Sequence, residues 1–209
     1  TVQLALTRLP HDPSLPYQGV MLTNPGGPGG SGRIFAVLGL FVPGDVGRQY
    51  DWIGFDPRGV GASVPALSCN PTYSAGPRPP YEPTTPAIEQ AWLAKVQGYA
   101  RACGRAGGDL LDHVKTVDNV RDMNAIRKAL GARQINYYGF SYGTYLGQVF
   151  ATLYPNRVRR MVLDSNVDPR KVWYQANLDQ DPAFQVVLDH FFDWIARHDD
   201  AYGLGTTRA

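Results

Sequence analysis

Residues 134–154, QINYYGFSYGTYLGQVFATLY, constrain the fold more than any other stretch of the chain. Residues 134–140 read as a strand, and 142–154 as a helix closed by Pro155. Only Ser141 lies between them, so the backbone must pass from strand to helix within about one residue. Gly139-Phe140-Ser141-Tyr142-Gly143 fits the pattern G-x-S-x-G, in which the glycines leave room beside a sharply turned serine. On this reading Ser141 is a candidate catalytic nucleophile at the C-terminal edge of a sheet. It also stands at a helix N-terminus, where the dipole favours developing negative charge. The competing reading is a serine N-cap with glycines kept for close packing. A strand before the serine and a helix after it favour the nucleophile elbow.

A nucleophile of this kind needs donors for an oxyanion, and NPGGPGGSG at 24–32 offers them. It follows a strand signal, GVMLTN at 19–24, and precedes SGRIFAVLGLF at 31–41, which reads as a helix. Glycines here leave backbone N–H groups bare. The expected donors are the N–H groups of Tyr142, next after the serine, and of Gly27, with Gly26 as the second choice in that loop. The other readings are a plain turn or a phosphate loop. A Walker loop is excluded because no Gly-Lys-Ser/Thr follows, and the dinucleotide spacing lacks its acidic partner.

The rest of the chain repeats strand and helix signals. YDWIGFD (50–56) is a strand cut off by PRGVGAS, and RVRRMVLD (157–164) is another. Residues 87–102 have helical spacing. A further helix runs from Thr116 as N-cap to Gly131, with Val117, Val120, Met123, Ile126 and Leu130 on one face. This order predicts an α/β fold with a mainly parallel sheet and helices on both faces. Between Pro65 and Pro86 lie seven of the 17 prolines, an expected ordered excursion. After SNVDPRKVW, PAFQVVLDHFFDWIARH (182–198) reads as an amphipathic helix leading to no further strand. The 209 residues suffice for one domain with a substantial core, and a net charge of +2 with interspersed signs gives no polybasic patch for nucleic acid or an anionic membrane. The longest apolar run, 34–42, is far short of a membrane span of about 20 residues. No Cys/His cluster has metal-ligand spacing, and neither a metal nor a cofactor is implied. Cys69 and Cys103 flank the proline-rich excursion, which suits a disulfide in an exported protein; two unlinked thiols are the alternative.

NPGGPGGSG, DWIGFDPRGVGAS and NYYGFSYGTYLGQVFATLYPNRVRRMVLDSNVDP, in that order, resemble the α/β-hydrolase fold. More closely, they resemble the secreted actinobacterial tripeptidyl aminopeptidases related to prolyl iminopeptidases, over about residues 2–195. The resemblance places the family's oxyanion loop on Pro25–Gly29, its serine on Ser141 and its Asp-x-Arg-Gly turn on Asp56–Gly59. It also matches the positions of Cys69 and Cys103, in favour of the disulfide. What it implies is a secreted serine exopeptidase that removes short peptides from free N-termini. A helical cap would begin near residue 169, after core residues 1–168.

The partners of Ser141 are harder to place. This fold supplies them in the order serine, acid, histidine. His11 and His113 precede the serine, and His190 and His198 lie in the expected cap helix. Asp164 and Asp168 read as the structural end of a strand. Arg58 is expected to brace loops, and Asp56 to hydrogen-bond nearby backbone. The last core strands, with the base and acid, are therefore expected in a C-terminal segment or a second chain, making these residues an N-terminal portion that is inactive alone. Two other readings stand beside the aminopeptidase: a carboxylesterase or lipase-like hydrolase, and an inactive fragment that binds a partner chain.

Overall fold

The computed structural model describes residues 1–171 and 173–208. The chain forms two compact units, Thr1–Asn166 and Val167–Ala209. In the first, a five-stranded sheet is built from β1 (Leu6–Leu9), β2 (Val20–Asn24), β3 (Asp51–Phe55), β4 (Ile135–Phe140) and β5 (Val158–Asp164). The strand order is β1-β3-β2-β4-β5; β1 runs antiparallel to β3, and the other pairs are parallel. β2 and β3 are buried along their whole length, as parallel strands covered on both faces must be.

Side chains alternate across the sheet and divide the core. Leu22, Ile53, Phe55 and Tyr137 pack with Val120, Met123 and Ile126 of α2 (Thr116–Ala129) and with Leu146 and Phe150 of α3 (Tyr142–Leu153). Met21 and Trp52 face the other way and pack with Ala36. The segment expected as a helix at 31–41 is a 3-10 helix over Arg33–Leu40. It is pressed against the sheet: a Cβ on Gly39 would stand 2.5 Å from the Trp52 indole.

α2 begins where expected, but Lys115 is its N-cap residue and no side chain caps it. The Thr116 hydroxyl instead lies 3.0 Å from the Tyr142 hydroxyl, and Val117 is exposed. α1 (Pro86–Ala106) starts at a Thr85 cap whose hydroxyl accepts from the Ile88 N–H at 3.3 Å. A disulfide joins Cys69 to Cys103 and ties the proline-rich excursion to α1. Trp92 Nε1 donates to the Pro80 carbonyl at 2.8 Å, and the Tyr73 and Tyr99 rings meet at 4.3 Å, so the excursion is ordered along α1.

The second unit consists of α4 (Tyr174–Arg197) and α5 (Asp199–Tyr202). α4 starts ahead of the expected position and carries Pro182 inside it. Lys171 Nζ pairs with Asp179 at 2.7 Å near its first turns.

In the sheet, β2 has β3 on one side and β4 on the other. Such a reversal of strand order opens a crevice at the carboxyl ends of the two strands. The glycine loop after β2 and Ser141 after β4 meet there.

Candidate active site

Ser141 has φ +51° and ψ −122°, in the left-handed half of backbone space that side chains normally avoid. Such a conformation costs about 1–3 kcal/mol and persists only where surrounding bonds enforce it. Here they do. The Ser141 N–H donates to the Asp164 carbonyl at 3.0 Å, and the Ser141 carbonyl accepts from the Thr144 N–H at 2.8 Å and its hydroxyl at 2.6 Å. Just beyond, the buried Tyr137 hydroxyl donates to the Gly143 carbonyl at 2.7 Å. Burial pushes the Tyr137 hydroxyl's pKa far up, which keeps it a donor. The serine itself is exposed, while Tyr142, Gly143 and Thr144 behind it are buried.

The glycines are set by contact. A Cβ on Gly143 would lie 2.6 Å from the Asn24 carbonyl oxygen. One on Gly26, at φ +91°, would lie 2.5 Å from the Phe140 carbonyl oxygen, 2.9 Å from the Tyr142 nitrogen and 3.1 Å from Ser141 Cβ. The glycine loop therefore lies directly on the elbow.

Within that loop the N–H groups are not equivalent. Asn24, buried at the end of β2, accepts the Gly26 N–H through Oδ1 at 2.8 Å, an Asx-type turn that leaves Gly26 with no donor to offer. Gly27 has φ +111°, and its N–H meets no acceptor among the described residues. Tyr142 opens α3, with its N–H at the positive end of the helix dipole.

Asp56 anchors the far side of the loop. Its Oδ1 accepts from the Ser31 hydroxyl at 2.6 Å and the Gly32 N–H at 3.1 Å, and its Oδ2 from the Ala62 N–H at 2.8 Å. Burial works to raise its pKa, but the donors from Ser31, Ala62, Arg33 and Gly32 outweigh burial and hold it below the ordinary value. Arg58 grips Asp122 of α2 with two bonds of 2.7 Å and donates to the His113 carbonyl at 2.9 Å. Both residues are braces.

The first unit's two histidines do not bring a ring to this group. His11 sits at the opposite end of the sheet, where its Nδ1 is 2.9 Å from Asp51 at the start of β3. His113 meets Arg58 through its backbone carbonyl. His190 lies on α4, His198 caps it, and both belong to the second unit. Asp164 accepts from Tyr138 at 3.2 Å and from Ser165 at 3.3 Å, while its carbonyl holds the elbow. Asp168 pairs with Arg170 in the second unit, which holds its carboxyl low, at about 2. The sequence reading missed the Asn24 side chain, Thr144 and Tyr137. Of these only Asn24 left a signal, the Asn-x-Gly spacing of an Asx turn.

Known proteins share much of this sequence. The chain is 46% identical over 198 residues to a protein named tripeptidyl aminopeptidase from Streptomyces coelicolor, covering 92% of this chain and 37% of that one. It is 39% identical over 180 residues to serine protease Hip1 of Mycobacterium tuberculosis, covering 83% and 34%. It is 37% identical over 199 residues to a protein named carboxylesterase B, also from Mycobacterium tuberculosis, covering 91% and 38%. The chain thus spans little more than a third of the length of these relatives. A family model for the alpha/beta hydrolase fold matches residues 19–208, across the glycine loop, the Asp56 turn and the Ser141 elbow, and the chain belongs to that family.

Proposed function

We propose that the chain is the nucleophile-bearing part of a serine hydrolase that removes short peptides from free N-termini. The observation that carries this reading is the left-handed backbone of exposed Ser141 between β4 and α3, with Gly26 packed against its Cβ. Ser141 Oγ attacks the scissile carbonyl and forms an acyl-enzyme. The N–H groups of Tyr142 and Gly27 hold the oxygen as it becomes negative. Asn24 reserves the Gly26 N–H for the loop itself. A histidine takes the serine proton and passes it to the leaving amine, oriented by an acid. Both come from a C-terminal segment or a second chain, a reading supported by the greater length of the relatives. Export is supported by the Cys69–Cys103 disulfide, a bond that persists in oxidising compartments.

The test is labelling by a fluorophosphonate probe in the full-length protein. Ser141→Ala should abolish both labelling and turnover; labelling that persists overturns the assignment. A second reading, a carboxylesterase, is favoured by the relative of that name. Tripeptide p-nitroanilides cleaved in preference to short-chain p-nitrophenyl esters support the peptidase, and the reverse order supports the esterase.

A further inference from the structure

Beside the oxyanion loop lies a recess of about 540 Å³, lined by Asn24, Pro28, Arg58, Val114, Asn119 and Tyr142 among others. Gly26, which packs close to Ser141, and Tyr142, next after it, both line the recess, so it adjoins the elbow. Two of its lining side chains carry buried polar atoms without a partner among the described residues, Asn24 Nδ2 and Asn119 Oδ1. Their orientations are fixed by their other ends. Asn24 Oδ1 accepts from Gly26, and Asn119 Nδ2 donates to the Lys115 carbonyl at 3.1 Å. What is left over is one donor and one acceptor.

A buried polar group without a partner costs about 1–3 kcal/mol, and native proteins rarely retain one without a use. The recess is otherwise electrically quiet, because both Asp122 oxygens engage the Arg58 guanidinium. An ionic ligand gains little there. A peptide unit, with one carbonyl and one N–H, carries the acceptor and the donor that the two free positions call for, and the proline, valine and tyrosine around them suit its neutral character.

We propose that this recess is a substrate subsite that holds one peptide unit, its carbonyl accepting from Asn24 Nδ2 and its N–H donating to Asn119 Oδ1. The proposal rests on Ser141 being the nucleophile and deepens that reading. It makes the two asparagines determinants of specificity for peptides over simple esters, which bring no such unit.

The experiment is calorimetric binding to the full-length Ser141→Ala protein, which cannot turn the probe over. The probe is trialanine amide, compared with two analogues in which one internal peptide N–H is replaced by an ester oxygen. One analogue should bind roughly tenfold more weakly than the parent, the loss that one buried hydrogen bond carries. Adding Asn119→Leu should erase that difference by bringing the parent down to the analogue. Adding Asn24→Asp keeps the acceptor for Gly26 and removes the amide donor; it should also weaken the parent about tenfold. The analogue comparison needs no change in the recess, so a variant that fails to fold does not decide the outcome. Equal binding of parent and both analogues overturns the proposal and leaves the two atoms to trapped water. Absence of any trialanine amide binding overturns it too. Failure of the nucleophile reading shows separately, as fluorophosphonate labelling that survives Ser141→Ala.

Discussion

Position 26 has no space for a Cβ, since one there would stand 2.5 Å from the Phe140 carbonyl oxygen. Its φ of +91° adds backbone strain for any other residue. Gly26→Ala should therefore lower stability by more than about 1 kcal/mol. It should also push the glycine loop off the elbow, so turnover of the full-length protein should fall further than the stability loss explains. Urea unfolding and kcat on the same preparation check both. Asp56 makes the complementary prediction in pH. Its folded pKa lies below its ordinary value of 3.8, so the unfolded chain binds more protons across that interval. The stability it contributes is complete above the unfolded value and is lost as pH falls through the lower folded value. Unfolding midpoints between pH 2 and 7 should fall at the acid end in the parent and show a shallower acid slope in Asp56→Asn. Ser141 and the glycine loop were legible from sequence because both motifs are local, with strand and helix signals on the correct sides. The unpartnered Asn24 amide was not, because it gains its meaning only from Asn119, which the fold brings to the same recess.

Among the elements, the excursion between β3 and α1 depends most on one covalent bond. The Cys69–Cys103 disulfide spans 34 positions in sequence and ties a segment with turns but no long helix or strand to α1. In the chain-entropy picture, a loop of this length loses roughly 3–4 kcal/mol of stabilisation when opened. Replacing both cysteines by serine should lower the thermal midpoint and expose residues 70–85 to proteolysis before the sheet is attacked. β4 offers a second test. Tyr137→Phe removes the donor to the buried Gly143 carbonyl, which should cost about 1–3 kcal/mol by urea unfolding. The elements themselves were mostly readable, because β2, β3 and β4 are short runs in which aliphatic and aromatic residues predominate. Two details escaped periodicity. Arg33–Leu40 is a 3-10 helix drawn tight against Trp52, and the Thr116 hydroxyl turns to Tyr142 in place of its own backbone. Both are decided by a tertiary neighbour that local spacing does not contain.

At the scale of the molecule, alternating strand and helix signals foretold a mostly parallel sheet with helices on both faces. They did not contain the strand order, which depends on where each crossover packs back. That order matters for chemistry, because the reversal around β2 brings Gly26 of one loop onto Ser141 of another. It gathers Ser141 and the glycine loop, while His11 sits at the opposite end of the sheet and His113 meets Arg58 through its backbone carbonyl. On the proposed function the base lies outside these residues, and Ser141 retains only the part of catalysis due to oxyanion binding and positioning. In triad hydrolases, removal of the base costs a factor of about 10⁶ in kcat. The 209 residues expressed alone should therefore turn over p-nitrophenyl acetate at least about 10³-fold more slowly than the full-length protein, with Ser141 labelled by fluorophosphonate at a correspondingly reduced rate. The comparison needs circular dichroism on both samples, so that loss of folding is separated from loss of the base. Equal turnover by folded samples would place the base within these residues and return His190 and His198 to consideration. Slow turnover that rises when the remaining sequence is supplied as a second chain would place the base and acid there.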